Sequence, residues 1–391
     1  MSASVAARDL RLDLFRGVAL MMIFINHVPG NFASYWTHMN FGFSDAAEAF
    51  VFLSGFAAAI AYGPDFERGR QMLGIWRVIE RAWTLYSFHL VMLMVVAGIV
   101  ALAYLRLASP AYLQMIEIGP LFQETQVAVV KALSLRWMPK YLDILPLYIV
   151  LLLKLPVMLL LVRRGVWALL GPSLVLYAAA HLLGWNLPAY RGAEEWNLNP
   201  FAWQLLFAIG VVGGHAWRTG ATIVQHRPAL LVAAIVFLAA SLAARLAGGA
   251  IGEPHEWRLG IALAHKTVLG PLRILHFLAI AYVLARLVPA GAAWLSSRWA
   301  RPLVLCGQAS LPVFCLGTAL SVLGYVIITE FGRGHVVEVP VILGGLIAMY
   351  ALAHLLAAVE DMRRAARAPR PSWNAMGSVH GGNAGLRGPA A

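Results

Sequence analysis

Long apolar runs with almost no charge recur from one end of this chain to the other, and they limit the folds open to it more than any other feature. Leu90–Leu105, Tyr148–Val162, Val166–Leu183, Leu230–Leu242 and Val339–Ala358 are examples. Hydrocarbon cannot hydrogen-bond a bare backbone, so runs of this kind must be helical. A soluble chain of 391 residues would split into two or three domains, but 61% apolar and 12% charged residues make lipid the solvent for most of this one. The net charge of +12 would suggest nucleic acid in a soluble protein. Here the arginines lie in short loops between apolar runs, where they set topology.

The expected architecture is an all-α, polytopic membrane bundle of about ten transmembrane helices. The spans are 12–30, 45–62, 82–105, 141–161, 165–184, 201–217, 229–248, 271–289, 308–329 and 339–359. The first is not expected to be a cleaved leader, because Asp13, Arg16, Asn26 and His27 interrupt it, no small-x-small site follows it closely and Pro29-Gly30 ends it as a helix stop. Arginines collect in alternate connections, such as Arg68, Arg70, Arg77 and Arg81, then Arg163 and Arg164, then Arg218. This pattern places both termini in the cytoplasm. The opposite loops carry Tyr35, Trp36, Trp185, Tyr190 and Trp196, which suit interface anchors or a surface for stacking sugar rings. Leu121–Met138 suits an amphipathic segment lying on that outer surface. The transmembrane domain covers 1–362, and 363–391, rich in Pro, Gly and Ala, is expected to be a disordered cytoplasmic tail.

Ionisable groups inside a span are expensive and therefore mark function. In the first span Arg16 and His27 lie eleven residues apart. At 100° per residue they share one face, roughly 16 Å apart along the axis. His27 suits a general base, or alternatively a hydrogen bond to a neighbouring helix; Arg16 suits an anion contact, or alternatively a side chain snorkelling to the interface. Glu48, near the outward end of the second span, is a candidate to fix the His27 tautomer. Ser54-Gly55 reads as a close-packing pair, since no nucleophile elbow surrounds the serine. Lys266 and Arg273, two turns apart, are cations on the outer side, suited to a carboxylate or alternatively to an interface and a neighbouring helix. Asp143, Asn199 and Gln204, near outward helix ends, are candidates to hold sugar hydroxyls, although Asn199-Pro200 also has the form of a helix cap. Cys306 and Cys315 fall on opposite sides of one helix and form neither a disulfide nor a metal site.

Arg16-x-x-Ala19 with His27, Glu48 before Ser54-Gly55-Phe56, and Arg77-Val-Ile-Glu-Arg81-Ala-Trp-Thr-Leu-Tyr86 resemble the membrane acyltransferase type 3 superfamily. Within it, Tyr141-Leu-Asp143-Ile-Leu-Pro-Leu-Tyr148, Asn199-Pro-Phe-Ala-Trp203-Gln204 and Gly307-Gln-Ala-Ser310-Leu-Pro-Val-Phe resemble the OpgC family of osmoregulated periplasmic glucan succinyltransferases. One departure stands out: Ser310 is followed by Leu311 and later by Gly317, where many superfamily members carry a Ser-Tyr motif and a His. His27 is therefore the stronger base.

The resemblance implies a multi-pass protein of the bacterial inner membrane that takes acyl-CoA, for which succinyl-CoA is the expected form, as co-substrate from the cytoplasm. No permanently bound cofactor or metal is expected, and the acceptor is a hydroxyl of a periplasmic glucan. The expected catalytic residues are His27 and Glu48. Arg16, Arg77 and Arg81 are expected to bind the donor, and Lys266, Arg273, Asp143, Asn199 and Gln204 the acyl end or the acceptor. An O-acetyltransferase acting on another polysaccharide, and a transporter or flippase using the same buried charges as a substrate path, are the alternatives.

Overall fold

A computed structural model describes residues 9–107, 109, 111–190, 195–222, 227–251 and 263–367. Helix α1, Leu10–His27, starts where the Asp9 side chain accepts from Arg11 N–H at 3.0 Å. Two short 3₁₀ turns lead to α2, Ala46–Glu67, whose N-terminus is closed by a reciprocal box between Asp45 and Glu48. Helix α3, Gln71–Leu107, has 37 residues. It is about 55 Å long, well beyond a hydrocarbon core of about 30 Å. The expected amphipathic stretch contains the short helices α5, Gly119–Gln123, and α6, Thr125–Leu133, which follow α4, Ala111–Met115.

The chain continues through α7, Ile144–Arg164, α8, Val166–Leu182, α9, Pro200–Thr219, and α10, Pro228–Ile251. It ends in α11, Pro271–Leu287, α12, Arg301–Gln308, α13, Ser310–Phe331, and α14, His335–Arg367. Among the described residues the only pairing of extended backbone is an isolated bridge between Pro188 and Glu195. The fold is an all-α polytopic bundle.

Each of the ten expected spans coincides with a helix. Six of those helices, α2, α3, α7, α10, α13 and α14, are long and apolar enough to cross a membrane. The expected total of about ten crossings is not reached on length and composition. Helix α1 carries Arg11, Asp13 and Arg16, and α8 and α11 have 17 residues each. The first residues of the expected tail, 363–367, are helical. Helix α14 runs to Arg367, with Arg364 paired to Glu360 one turn earlier, and 368–391 lie outside the described residues.

Two glycine contacts position the elements that carry the site. A Cβ on Gly55 would lie 2.2 Å from the Phe207 carbonyl oxygen, and one on Gly210 would lie 2.2 Å from that of Phe52. Helices α2 and α9 therefore meet backbone to backbone. Gly17 and Gly307 do the same for α1 and α12, with would-be contacts of 1.9 Å and 1.8 Å to the oxygens of Leu303 and Asp13. Trp203, Phe24, Phe66 and Phe207 fill the core between these pairs. Large apolar residues such as Val91 and Leu105 on α3 face outward, as lipid requires.

Candidate functional site

The two ends of the bundle differ in chemistry. At the α2 C-terminus Asp65 binds Arg70 at 2.6 Å and Arg77 at 2.5 Å, Glu67 pairs with Arg218, and Arg163 donates to the Phe66 carbonyl at 2.6 Å. This is the arginine-rich end that charge alternation assigns to the cytoplasm.

At the opposite end four charges form one network. Arg273, in the first turn of α11, donates from Nε to Glu48 Oε1 at 2.6 Å and from Nη2 to Asp45 Oδ2 at 3.0 Å. Lys266 reaches the same Asp45 oxygen at 2.8 Å. The second Glu48 oxygen accepts the Asp45 backbone N–H at 2.8 Å. Two carboxylates and two cations balance, as burial of charge demands. Glu48 is fully enclosed, and Lys266 is 46% exposed. Burial alone would push the Asp45 carboxyl up, but the charges of Lys266 and Arg273 outweigh it and hold it well below the usual range.

His27, the last residue of α1, lies beside this network. Its ring tilts against Tyr141 with centroids 4.3 Å apart, and its Nδ1 is buried with no hydrogen-bond partner among the described residues. Tyr141 holds a φ of 73°, a strained value for an aromatic residue. Next to His27, the Asn26 Oδ1 accepts from Thr37 Oγ1 at 2.6 Å, which ties the loop after α1 to the helix end.

The structure gives Glu48, expected to orient His27, other partners. Its oxygens belong to Arg273 and to the cap of its own helix. Asp45-x-x-Glu48 has the spacing of a capping box, the signal that sequence reading passed over. Lys266 and Arg273 are likewise committed to carboxylates of the chain.

Arg16 and Arg81 converge on a cavity of about 180 Å³ among α1, α2, α3, α7 and α13, with Ser54, Tyr62, Tyr148 and Ser310 as its polar lining. Arg77 does not line this cavity; it is held by Asp65 and lies 5.3 Å over the Tyr62 ring. Asp143 accepts from Asn197 at 2.7 Å at the start of α7. Asn199 caps α9 through Phe201 N–H at 2.9 Å and donates to the Trp185 carbonyl at 2.7 Å. Gln204, fully buried, donates to the Ser173 carbonyl at 2.7 Å. The amides of Asn199 and Gln204 thus bind backbone, where sugar contacts were expected. Among the described residues no three or more His, Cys, Asp or Glu gather as metal ligands.

A family model described as OpgC protein matches residues 8–361. The chain belongs to the OpgC family. No curated protein and no solved structure matches it. As an OpgC-family protein it is a membrane acyltransferase that modifies periplasmic glucan, and every candidate residue above falls inside the matched segment.

Above the charge network of this OpgC-family chain opens a vestibule of about 1280 Å³, with Asp45, Lys266 and Arg273 in its lining and Tyr35 and Trp36 among its walls. A second, apolar groove of about 550 Å³ runs between α1, α2 and α11, and Trp36 borders both spaces. One feature that sequence reading missed also lies here. Ser44 Oγ is 2.9 Å from His38 Nε2 and 2.7 Å from His276 Nδ1, and Ser44 N–H points at the same Nδ1 at 3.3 Å. Because the backbone can only donate, Nδ1 of His276 accepts, Ser44 O–H donates to it, and His38 Nε2–H donates to Ser44. The chain of bonds pins the loop before α2 to α11.

Proposed function

We propose that this protein transfers a succinyl group from cytoplasmic succinyl-CoA to a hydroxyl of a periplasmic glucan across the inner membrane, with His27 as the general base. The observation that carries this reading is the Nδ1 of His27, which has no hydrogen-bond partner among the described residues and is buried at the helix end beside a balanced network of four charges. A ring nitrogen with no structural hydrogen bond among the described residues is open to a bond with a substrate hydroxyl.

In the proposed step the glucan O–H gives its proton to His27 as its oxygen attacks the thioester carbonyl. The acyl C–S bond breaks, the new ester C–O bond forms, and the imidazolium returns the proton to the leaving thiolate. Glu48 acts one step removed, by holding Arg273 and the start of α2. Arg16 and Arg81 offer cationic contacts where the donor enters the bundle, and Arg77 adds positive charge at its mouth. Lys266, the more exposed of the two outer cations, is placed to meet the free carboxylate of a succinyl group. Asp143, Asn199 and Gln204 serve the acceptor side by fixing helix starts and α9.

Membrane vesicles supplied with acyl-CoA and glucan, with products read by mass spectrometry, test this reading. Succinyl ester on glucan from the wild type and none from His27→Ala, at equal protein amount, is the expected result. Full transfer by His27→Ala would overturn the mechanism, and acetyl ester made in preference to succinyl would overturn the donor assignment.

A further inference from the structure

The loop between α1 and α2 is braced far more heavily than a connection of its length requires. Asn31 is fully buried; its amide donates to the carbonyls of Ile25 at 2.8 Å and Val28 at 2.5 Å, and its oxygen accepts Ser34 N–H at 3.0 Å. Phe32 N–H binds Glu338 of α14 at 2.8 Å, and Asn40 donates to the Ser34 carbonyl at 2.7 Å. Thr37 is bonded to Asn26, and the His38–Ser44–His276 chain anchors the far end. Burial holds His38 below its ordinary pKa against the pull of Asp45.

On this rigid loop the two most exposed large side chains are Tyr35, at 72%, and Trp36, at 78%. Both line the vestibule whose floor holds Asp45, Lys266 and Arg273. Anchoring in a membrane interface needs aromatic residues at the right depth but no fixed geometry. Stacking on a sugar ring needs a ring face held in place, and pre-organising it lowers the entropy lost on binding. The space, about 1280 Å³, exceeds the roughly 300–1,000 Å³ of pockets for a single small ligand.

We propose that Tyr35 and Trp36 form the acceptor subsite, a fixed aromatic platform on which consecutive rings of a glucan chain stack. The bound chain then presents a hydroxyl to His27 through the Asn26–Thr37 side of the same loop. This inference rests on the acyl-transfer reading for its substrate class. The carbohydrate contact is made by ring faces rather than by Asn199 or Gln204.

Replacing Trp36 by Leu keeps an apolar side chain at the interface but removes the ring face, whereas Trp36→Phe keeps both. The expected result for Trp36→Leu is a rise in the KM for glucan of about tenfold, the value of one good aromatic contact. The KM for acyl-CoA should stay unchanged, and Trp36→Phe should recover most of the loss. Direct binding of glucooligosaccharides of graded length to the detergent-solubilised wild type, measured calorimetrically, should tighten as rings are added and weaken in Trp36→Leu. If Leu serves as well as Phe in both measurements, the side chain is a membrane anchor and the platform is refuted. Because the calorimetric measurement needs no catalysis, a wild type that binds oligosaccharide yet transfers no acyl group would overturn the proposed reaction and leave the subsite standing.

Discussion

The two ends of α2 are built from the same residue types and behave differently. At its C-terminus Asp65 is shared by Arg70 and Arg77, whose side chains are 50% and 45% exposed. At its N-terminus Glu48 and Asp45 share Arg273, whose side chain is 10% exposed. Exposed arginines keep much of their hydration, so their pairs add little stability and remain available to a passing phosphate. The enclosed pair has lost that hydration, and each charge now depends on its partner. On the proposed reading, the difference separates a face that sets topology and would receive a soluble donor from a charge network that must stay assembled.

The sharpest way to break this contrast is to remove one enclosed partner. Arg273→Met leaves Glu48 buried without its cation and should cost about 3–5 kcal/mol. Thermal unfolding in detergent should show a large fall in Tm, and transfer should vanish with either donor. A greater loss of succinyl than acetyl transfer would instead give Arg273 a direct role at the acyl carboxylate. Glu48→Gln should also abolish transfer, because it removes the charge that holds Arg273, with membrane insertion intact.

His27→Ala provides the complementary case. It removes a side chain whose Nδ1 makes no hydrogen bond among the described residues, so transfer should be lost while Tm moves little. A drop in stability matching that of Arg273→Met would make His27 a packing residue. Lys266→Met, at the half-exposed edge of the network, should fall between the two: succinyl transfer impaired more than acetyl transfer, with a modest change in stability.

What was legible in the sequence follows the same divide. Apolar runs require helices wherever they occur, so the ten segments were visible from hydropathy. Arg16 and His27 were visible because a charge inside such a run has few reasons to be there. Partners brought together from distant segments were not visible. Nothing in the spacing of Arg273 ties it to Glu48, and Tyr141 lies more than a hundred residues from the ring it meets. Asp45 is legible in the sequence as half of a capping box, a role that competes with a catalytic duty for Glu48. Gln204 shows the same limit: a polar side chain near a helix end has the form of a sugar ligand, and the hydrogen bond it makes across α8 and α9 is not written in its spacing.

The smallest expected effect lies at the arginine-rich end and measures how independent the two ends are. Asp65 is nearly enclosed but has two cations, so Arg70→Gln leaves it paired with Arg77. The loss in stability should stay within about 1 kcal/mol, the usual range for an exposed pair. Removing Arg77 as well should be clearly more than additive, because Asp65 would then lose its second partner and the carboxylate would be left unpaired. Neutralising Arg77 together with Arg81 should raise the requirement for acyl-CoA more than that for glucan, on the proposal that their positive charge meets the donor's phosphates. Kinetics in vesicles with each substrate varied in turn separates the two effects. An Arg70→Gln protein as unstable as Arg273→Met would show that exposure does not distinguish the ends of α2. An unchanged donor KM in the Arg77 and Arg81 double variant would reduce both arginines to markers of membrane orientation.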